Sequence, residues 1–313
     1  METGTINWNV SVDKLRVCLN MPEGLFDYLK EHYTHINEDC RILNEDDFSL
    51  VFFEEDEENM SSVLNVRDID GYFRLGKFDF NNTKKYKNKA FFTFENDALY
   101  RIFSRNCDST RNNYICCLMF VVNYYGMEFN NVTEIELALD CKFDYISKLR
   151  RMIKNVERYD LFINRKEVKD EETLDGYGEF YSRNRKKMAK LPTLYFSQAK
   201  DTDMKMRIYD KTRELKENSP YKEEYLKEWH GWDSLDNTYR VEVVLHNSNV
   251  RSAVAKLGKE CYEEWGEHSN LLYLLNDFKF RLMLFANSTD GLIYFKDKHN
   301  DKKISIIDLL LGI

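Results

Sequence analysis

The chain has 313 residues, 43% of them apolar, with 21 Phe and 20 Tyr, enough to bury a substantial core. Only 3 Pro and 12 Gly occur, which excludes long flexible linkers, and the opening METGTINWNV lacks the charged and apolar regions of a secretory leader. A net charge of −8 excludes a uniformly basic nucleic-acid binder, yet the charge is segregated: Glu38 to Glu58 holds ten acids and one Arg, and Arg183 to Lys216 holds eleven Lys/Arg and four acids.

The acidic run reads as a solvated face, and the basic run as a positive surface on one side of an acidic protein. Seven cysteines are scattered without a CxxC, and Cys116 and Cys117 are adjacent, so free thiols in a reducing compartment are expected. The apolar stretch Asn270 to Ala286 is broken by Asp277, Lys279 and Arg281, so no membrane span is expected and the cytoplasm is the expected location.

Short runs rich in β-branched and aromatic residues predict strands at Val10–Leu19, Phe48–Phe53, Tyr72–Phe80 and Lys89–Phe94. Glu95–Ser104 and Asn112–Tyr125 read as helices, Val132–Asp140 as a strand, and Phe143–Val156 as a basic amphipathic helix with Ile146, Leu149, Ile153 and Val156 on one face. Leu191–Ser197 and Met204–Lys211 read as two strands joined by the turn AKDTD, followed by a helix at Lys222–Trp229 and a strand at Thr238–Asn247. The remainder reads as mainly helical. Helices and hairpin-linked strands in this mixture predict an α+β fold with a mainly antiparallel sheet. The expected division is an α+β domain over residues 1–247 and a mainly helical C-terminal region over 248–313.

No P-loop, GxGxxG, HExxH or GxSxG occurs, and none of the six histidines forms an H-x-H pair. Three strands carry polar residues at period two. Glu134, Glu136 and Asp140 share one strand face; so do Arg207, Tyr209 and Lys211; so do Arg240, Glu242 and His246. If the strands are neighbours, carboxylates, a phenol and cations meet on one sheet face. Carboxylates can hold Mg²⁺ or Mn²⁺, the ion stabilises charge on a phosphate, and a nearby phenol can attack phosphorus. Alternation of this kind also describes the wet outer face of any antiparallel sheet. Tyr195 is a second candidate nucleophile on its own strand, and His246 a lone strand histidine. Lys84, Lys85, Lys87 and Lys89 around Tyr86 read as a solvated turn.

The motif order TEIELALD, PTLYFSQAKDTDMKMRIYDKTRE and YRVEV, covering Val132 to Asn247, resembles the plasmid replication initiators that nick DNA for rolling-circle replication. Members of this replication initiation factor family carry RxDxAxD, TLYxGS…RxYDK and RxE in that order. Here Glu134 stands for the Arg, Glu136 for the first Asp and Ser197 for the Gly. The resemblance implies a sheet related to the relaxase fold and a DNA nicking-joining endonuclease, with Tyr209 as the nucleophile and Arg207 and Lys211 on the scissile phosphate. It implies Glu136, Asp140 and Glu242 as ligands of Mg²⁺ or Mn²⁺. It also implies a homodimer on double-stranded origin DNA, which holds the nicked single strand and works with a host helicase. Arg183, Arg185, Lys186, Lys187 and Lys190, with Arg240, are the cations expected against DNA. Two other readings remain open: a metal-dependent nuclease using water, with Tyr209 structural, and a non-catalytic DNA-binding protein that regulates replication.

Overall fold

The computed structural model describes residues 8–33, 41–45, 48–54, 57–68, 71–103, 112–163, 165–168, 192–197, 204–255 and 270–311. It is an α+β protein with a large antiparallel sheet, as expected, and divides into two compact units. One comprises Met1–Ser11, Glu136–Lys259 and Phe278–Ile313; the other comprises Val12–Ile135 and Glu260–Asp277. Among the described residues no helix is long and apolar enough to cross a membrane.

In chain order the elements are β1 (Trp8–Asn20), α1 (Leu25–Tyr33), β2 (Arg41–Glu45), β3 (Phe48–Glu54), β4 (Asn59–Asp68), β5 (Gly71–Asn81), β6 (Lys89–Phe94), α2 (Asn96–Ile102) and α3 (Asn112–Tyr124). There follow β7 (Glu128–Cys141), α4 (Tyr145–Lys154), β8 (Tyr159–Ile163), β9 (Lys166–Glu167), β10 (Leu194–Ser197), β11 (Met204–Asp210), α5 (Lys211–Asn218), α6 (Glu223–His230) and β12 (Tyr239–His246). The chain closes with α7 (Asn247–Ala255), α8 (Asn270–Leu274), α9 (Phe278–Thr289), β13 (Ile293–Asp297), β14 (Lys303–Ser305) and α10 (Ile306–Leu311).

In the unit beginning at Val12, the strand order is β7-β1-β6-β5-β4-β3-β2, the first part of β7 lying beside β1. Its core is aromatic: Phe78 packs on Phe92 at 4.5 Å between ring centroids, and Phe92 on Phe94 at 4.9 Å. Gly76 sits beside a bulge at Leu75, since Leu64 pairs with Gly76 and Asn65 with Arg74, and a Cβ there would overlap the Thr93 carbonyl oxygen and the Phe92 ring. Glu134, at the Arg position of the motif, pairs with Lys14 at 2.9 Å.

The other unit carries the motif strands. Its strand order is β10-β11-β12-β7, with the last residues of β7 beside the head of β1. Met204, Met206 and Ile208 bury one face of β11, which leaves Arg207 and Tyr209 on the other, as period two predicts. Helix α4 packs against β11, and α7 and α9 pack against β12. Asp144 caps α4, accepting from the Ser147 amide at 2.9 Å, and Ile146, Leu149, Met152 and Ile153 are its buried side.

One expectation changes. Strand β11 ends at Asp210, whose carboxylate caps α5 by accepting from the Arg213 amide at 2.9 Å; Lys211 is therefore helical, not on the strand face. The C-terminal region, expected to be mainly helical, holds α7 to α10 and two short strands as well. Ile293, Phe295 and Asp297 bury alternately on β13, which joins β14, β8 and β9 in a second, four-stranded sheet. The expected turn AKDTD and the basic residues Arg183, Arg185, Lys186, Lys187 and Lys190 lie outside the described residues. Strands β10 and β11 on either side of the turn do pair antiparallel, Tyr195 opposite Arg207.

Gly76→Ala should cost about 1–3 kcal/mol, because the added methyl has no space to enter between two paired strands. Urea denaturation followed by circular dichroism measures it; an unchanged midpoint would count against this packing.

Candidate active site

Three strands build the site. Arg207 pairs with Glu242 and Tyr209 with Arg240 across the β11–β12 ladder, and β12 neighbours β7, which brings Glu136 and Asp140. Period two therefore places Arg207, Tyr209, Arg240, Glu242, Glu136 and Asp140 on one face, as the sequence pattern requires. Glu136, Asp140, Arg240 and Glu242 are buried; Arg207 and Tyr209 are half-buried.

Glu242 is the centre of the network. The Tyr209 hydroxyl donates to its Oε1 at 2.5 Å, and the Arg240 Nη1 lies 3.4 Å from the same oxygen. The Arg207 Nε donates to Glu242 Oε2, and the Arg207 Nη2 donates to Glu136 Oε1 at 2.8 Å. One guanidinium thus spans two carboxylates. Burial works to lower the Arg207 pKa, but Glu242 and Glu136 outweigh it and raise the value further. Carboxylate oxygens of Glu136 and Glu242 come within 4.8 Å of each other, a spacing at which two carboxylates can hold one divalent cation.

Asp140 does not join that pair. The Arg240 Nε and Nη2 hold its two oxygens at 2.6 Å each, and His230 Nε2 lies 2.9 Å from Oδ2. Its oxygens are spent on a fork-shaped ion pair and a histidine, so of the three carboxylates expected as ligands it is Glu136 and Glu242 whose oxygens approach each other. Burial pushes the Asp140 carboxyl up, but Arg240 and the His230 bond more than reverse this and hold it well below the usual range. Arg240 is correspondingly enclosed, its guanidinium on Asp140 and Glu242, and presents no surface to a DNA backbone.

His230 entered through a route the sequence spacing did not reveal. It is the last residue of α6, and Gly231 follows in the left-handed region at φ +62°, which ends the helix and turns the chain. Trp232 then stacks on the His230 ring at 4.2 Å and 19°. With Nε2 donating to Asp140, Nδ1 is left to accept from the Asn9 amide at 3.4 Å, which selects one neutral tautomer. Burial lowers the His230 pKa, against the opposing pull of Asp140. The signal available beforehand was an amphipathic helix ending His-Gly-Trp.

Lys211 also takes another place. It is buried at the head of α5, bonded to Glu214 at 2.6 Å, and its pKa is lowered by burial and by Arg240. Its ammonium still lies 5.8 Å from the centre of the Tyr209 ring, and the Arg207 guanidinium lies 5.9 Å from it. Two cations thus face the phenol ring, although only Arg207 does so from the strand.

Outside this network opens a cleft of about 680 Å³. Tyr209, Arg207, Tyr195 and Tyr239 line it from the sheet, and Arg150 and Arg213 from helices α4 and α5. Both tyrosines considered as nucleophiles therefore border one cavity. His246, at the far end of β12, is not among its lining residues.

The buried network gives a signed pH dependence. His230 and Asp140 both have lowered pKa values, so each contributes stability that is present above its ordinary value and lost on acidification. Stability should begin to fall below about pH 6.5 through His230, and fall again below about pH 3.8, where Asp140 of the unfolded chain takes up a proton that the folded one does not. His230→Gln should diminish the first fall and keep the second; superimposable pH–stability curves would count against the assignment. Arg240→Met should cost about 3–5 kcal/mol, since it leaves Asp140 charged and enclosed, and Asp140→Asn in the same chain should restore part of that.

No protein-family model matches this chain and no curated protein matches it in sequence, so its chemistry has to be read from the site itself.

Proposed function

We propose that this chain is a DNA nicking-joining endonuclease that starts rolling-circle replication, with Tyr209 as the attacking group. The observation that carries the reading is the Tyr209 hydroxyl, bonded at 2.5 Å to a buried carboxylate at the edge of an open cleft whose lining includes Arg207, Arg150 and Arg213 beside Asp144, Asp210, Glu214 and Glu217. A phenol needs two things to attack phosphorus: an acceptor for its proton and positive charge around the phosphate. Glu242 Oε1 is the acceptor. Arg207 is half-exposed beside the phenol, and the first turns of α4 and α5 line the same cleft with their partially positive ends.

In this reading the Tyr209 oxygen bonds to phosphorus as its proton passes to Glu242. The phosphorus–oxygen bond to the departing strand breaks, and that oxygen leaves carrying the electron pair. The phosphotyrosine diester retains the energy of the broken linkage, so attack by a strand hydroxyl reverses the reaction and rejoins the DNA without a nucleotide cofactor. Glu136 and Glu242 are the residues that would hold a divalent cation, and their all-oxygen donor set suits Mg²⁺ or Mn²⁺. Such an ion, when bound, supplies Lewis-acid stabilisation of charge on the phosphate. Double-stranded origin DNA, the nicked single strand, a host helicase and a second copy of the chain are the partners this reading brings with it.

Tyr209→Phe removes one oxygen from a half-buried side chain and should leave folding, DNA binding and Mn²⁺ binding near the parental level. It should abolish both nicking and rejoining of supercoiled DNA, and the denaturation-resistant protein–DNA adduct with them. Mass spectrometry of the trapped peptide locates the attachment. Attachment at Tyr195, on the same cleft, would keep the function and move the nucleophile; parental cleavage by the Phe variant would assign the attack to water.

Glu242→Gln should remove Mn²⁺-dependent cleavage by 100-fold or more, on the order of the 10²–10⁴-fold contribution of a positioned acid–base group. Oligonucleotide binding should change little, because affinity for DNA comes mainly from cations at phosphates. Cleavage within about two-fold of the parent would exclude Glu242 from both proton transfer and metal binding.

A further inference from the structure

We propose that Arg207 is an exchangeable internal cation: it neutralises the Glu136–Glu242 pair when no metal is bound, and a divalent ion entering that pair releases it to the phosphate in the cleft. This rests on the metal reading above and adds to it a coupling between metal entry and phosphate capture.

Geometry makes the two states mutually exclusive. The guanidinium occupies Glu136 Oε1 and Glu242 Oε2, one oxygen of each of the two carboxylates that would share a cation. Glu242 is 1% exposed and Glu136 10%, so the pair cannot remain charged in this enclosure without a partner. Arg240 also reaches Glu242, at 3.4 Å to Oε1, but as an enclosed side chain that holds Asp140 at the same time. Arg240 grips Asp140 with two nitrogens, and Lys211 is bonded to Glu214. Arg207, by contrast, is 44% exposed and already borders the cleft, with Tyr195 opposite it across the β10–β11 ladder. Its long side chain can leave the carboxylates by rotation alone, with no backbone movement, and keep its planar fork within the cleft, where that fork matches a phosphate.

Two consequences follow. Without metal, the charge of Arg207 is consumed internally and its pull on a phosphate is weak. With metal, both the ion and the guanidinium act on the same anion. Metal and DNA phosphate therefore bind cooperatively, and linkage requires that each raises the affinity for the other by the same factor.

The test uses the full chain and Mn²⁺ alone, with free ion counted by electron paramagnetic resonance. Arg207→Gln removes the competing charge and should bind Mn²⁺ roughly ten-fold more tightly than the parent, within the about 5- to 150-fold range of coupled sites. Arg207→Lys, which carries the charge but cannot span both carboxylates, should fall between them. The Gln variant should also gain more thermal stability from Mn²⁺ than the parent does, since there the carboxylates have lost the Arg207 charge beforehand. A folded Gln variant with equal or weaker Mn²⁺ affinity overturns the exchange and leaves the metal reading standing. Should the Gln variant fail to fold, the Lys variant decides, and equal or weaker affinity there is again fatal. Unaltered Mn²⁺ binding in Glu136→Gln and Glu242→Gln, or no binding by either the parent or the Arg207→Gln variant, removes the metal reading itself and this proposal with it.

Discussion

The polar face of the motif strands depends on one buried ion pair, Asp140 with Arg240. It joins β7 to β12 through two bonds of 2.6 Å, both side chains being almost wholly enclosed. A charge in that position is tolerable only with a fully bonded partner, and a guanidinium supplies two parallel donors where an ammonium supplies a point charge. Once Arg240 is fixed, its remaining nitrogen lies near Glu242, and Glu242 in turn receives Tyr209 and Arg207. The half-exposed groups that border the cleft are thus oriented by charges below them, and their positions follow from a framework that solvent does not reach.

This layering explains which parts of the site were legible in the sequence. Period-two alternation assigns side chains to faces, and it placed Glu136, Asp140, Arg207, Tyr209, Arg240 and Glu242 together. It does not assign partners within a face. Asp140 and Glu136 look equivalent on β7, yet the first is bound to Arg240 and His230 and the second to Arg207. Arg240 and Arg207 look equivalent as well, and only one reaches the cleft. Depth along the strand and proximity to α6 make these distinctions, and neither is written in local spacing.

Boundaries were the other illegible feature. MKMRIYDK alternates through Lys211, so the pattern extends the strand one residue too far; the capping preference of Asp210 wins and starts a helix. IYFKD is too short to outweigh the helical stretch before it, although its burial alternates cleanly on β13. By contrast Lys89–Phe94, with β-branched and aromatic residues between polar breaks, has the same limits in the sequence reading and in the structure.

The tripeptide Tyr209-Asp210-Lys211 shows what a short motif can contain. Its first residue borders the cleft with its hydroxyl on Glu242, its second closes the first turn of α5, and its third goes below the surface to Glu214. Chemistry, local folding and interior charge balance thus occupy three successive backbone positions, 209, 210 and 211. A substitution scan scored by activity alone would rank all three as equally essential and merge three different causes. Read together with helix content and unfolding energy, the same scan separates them, because each residue fails through a different layer of the molecule.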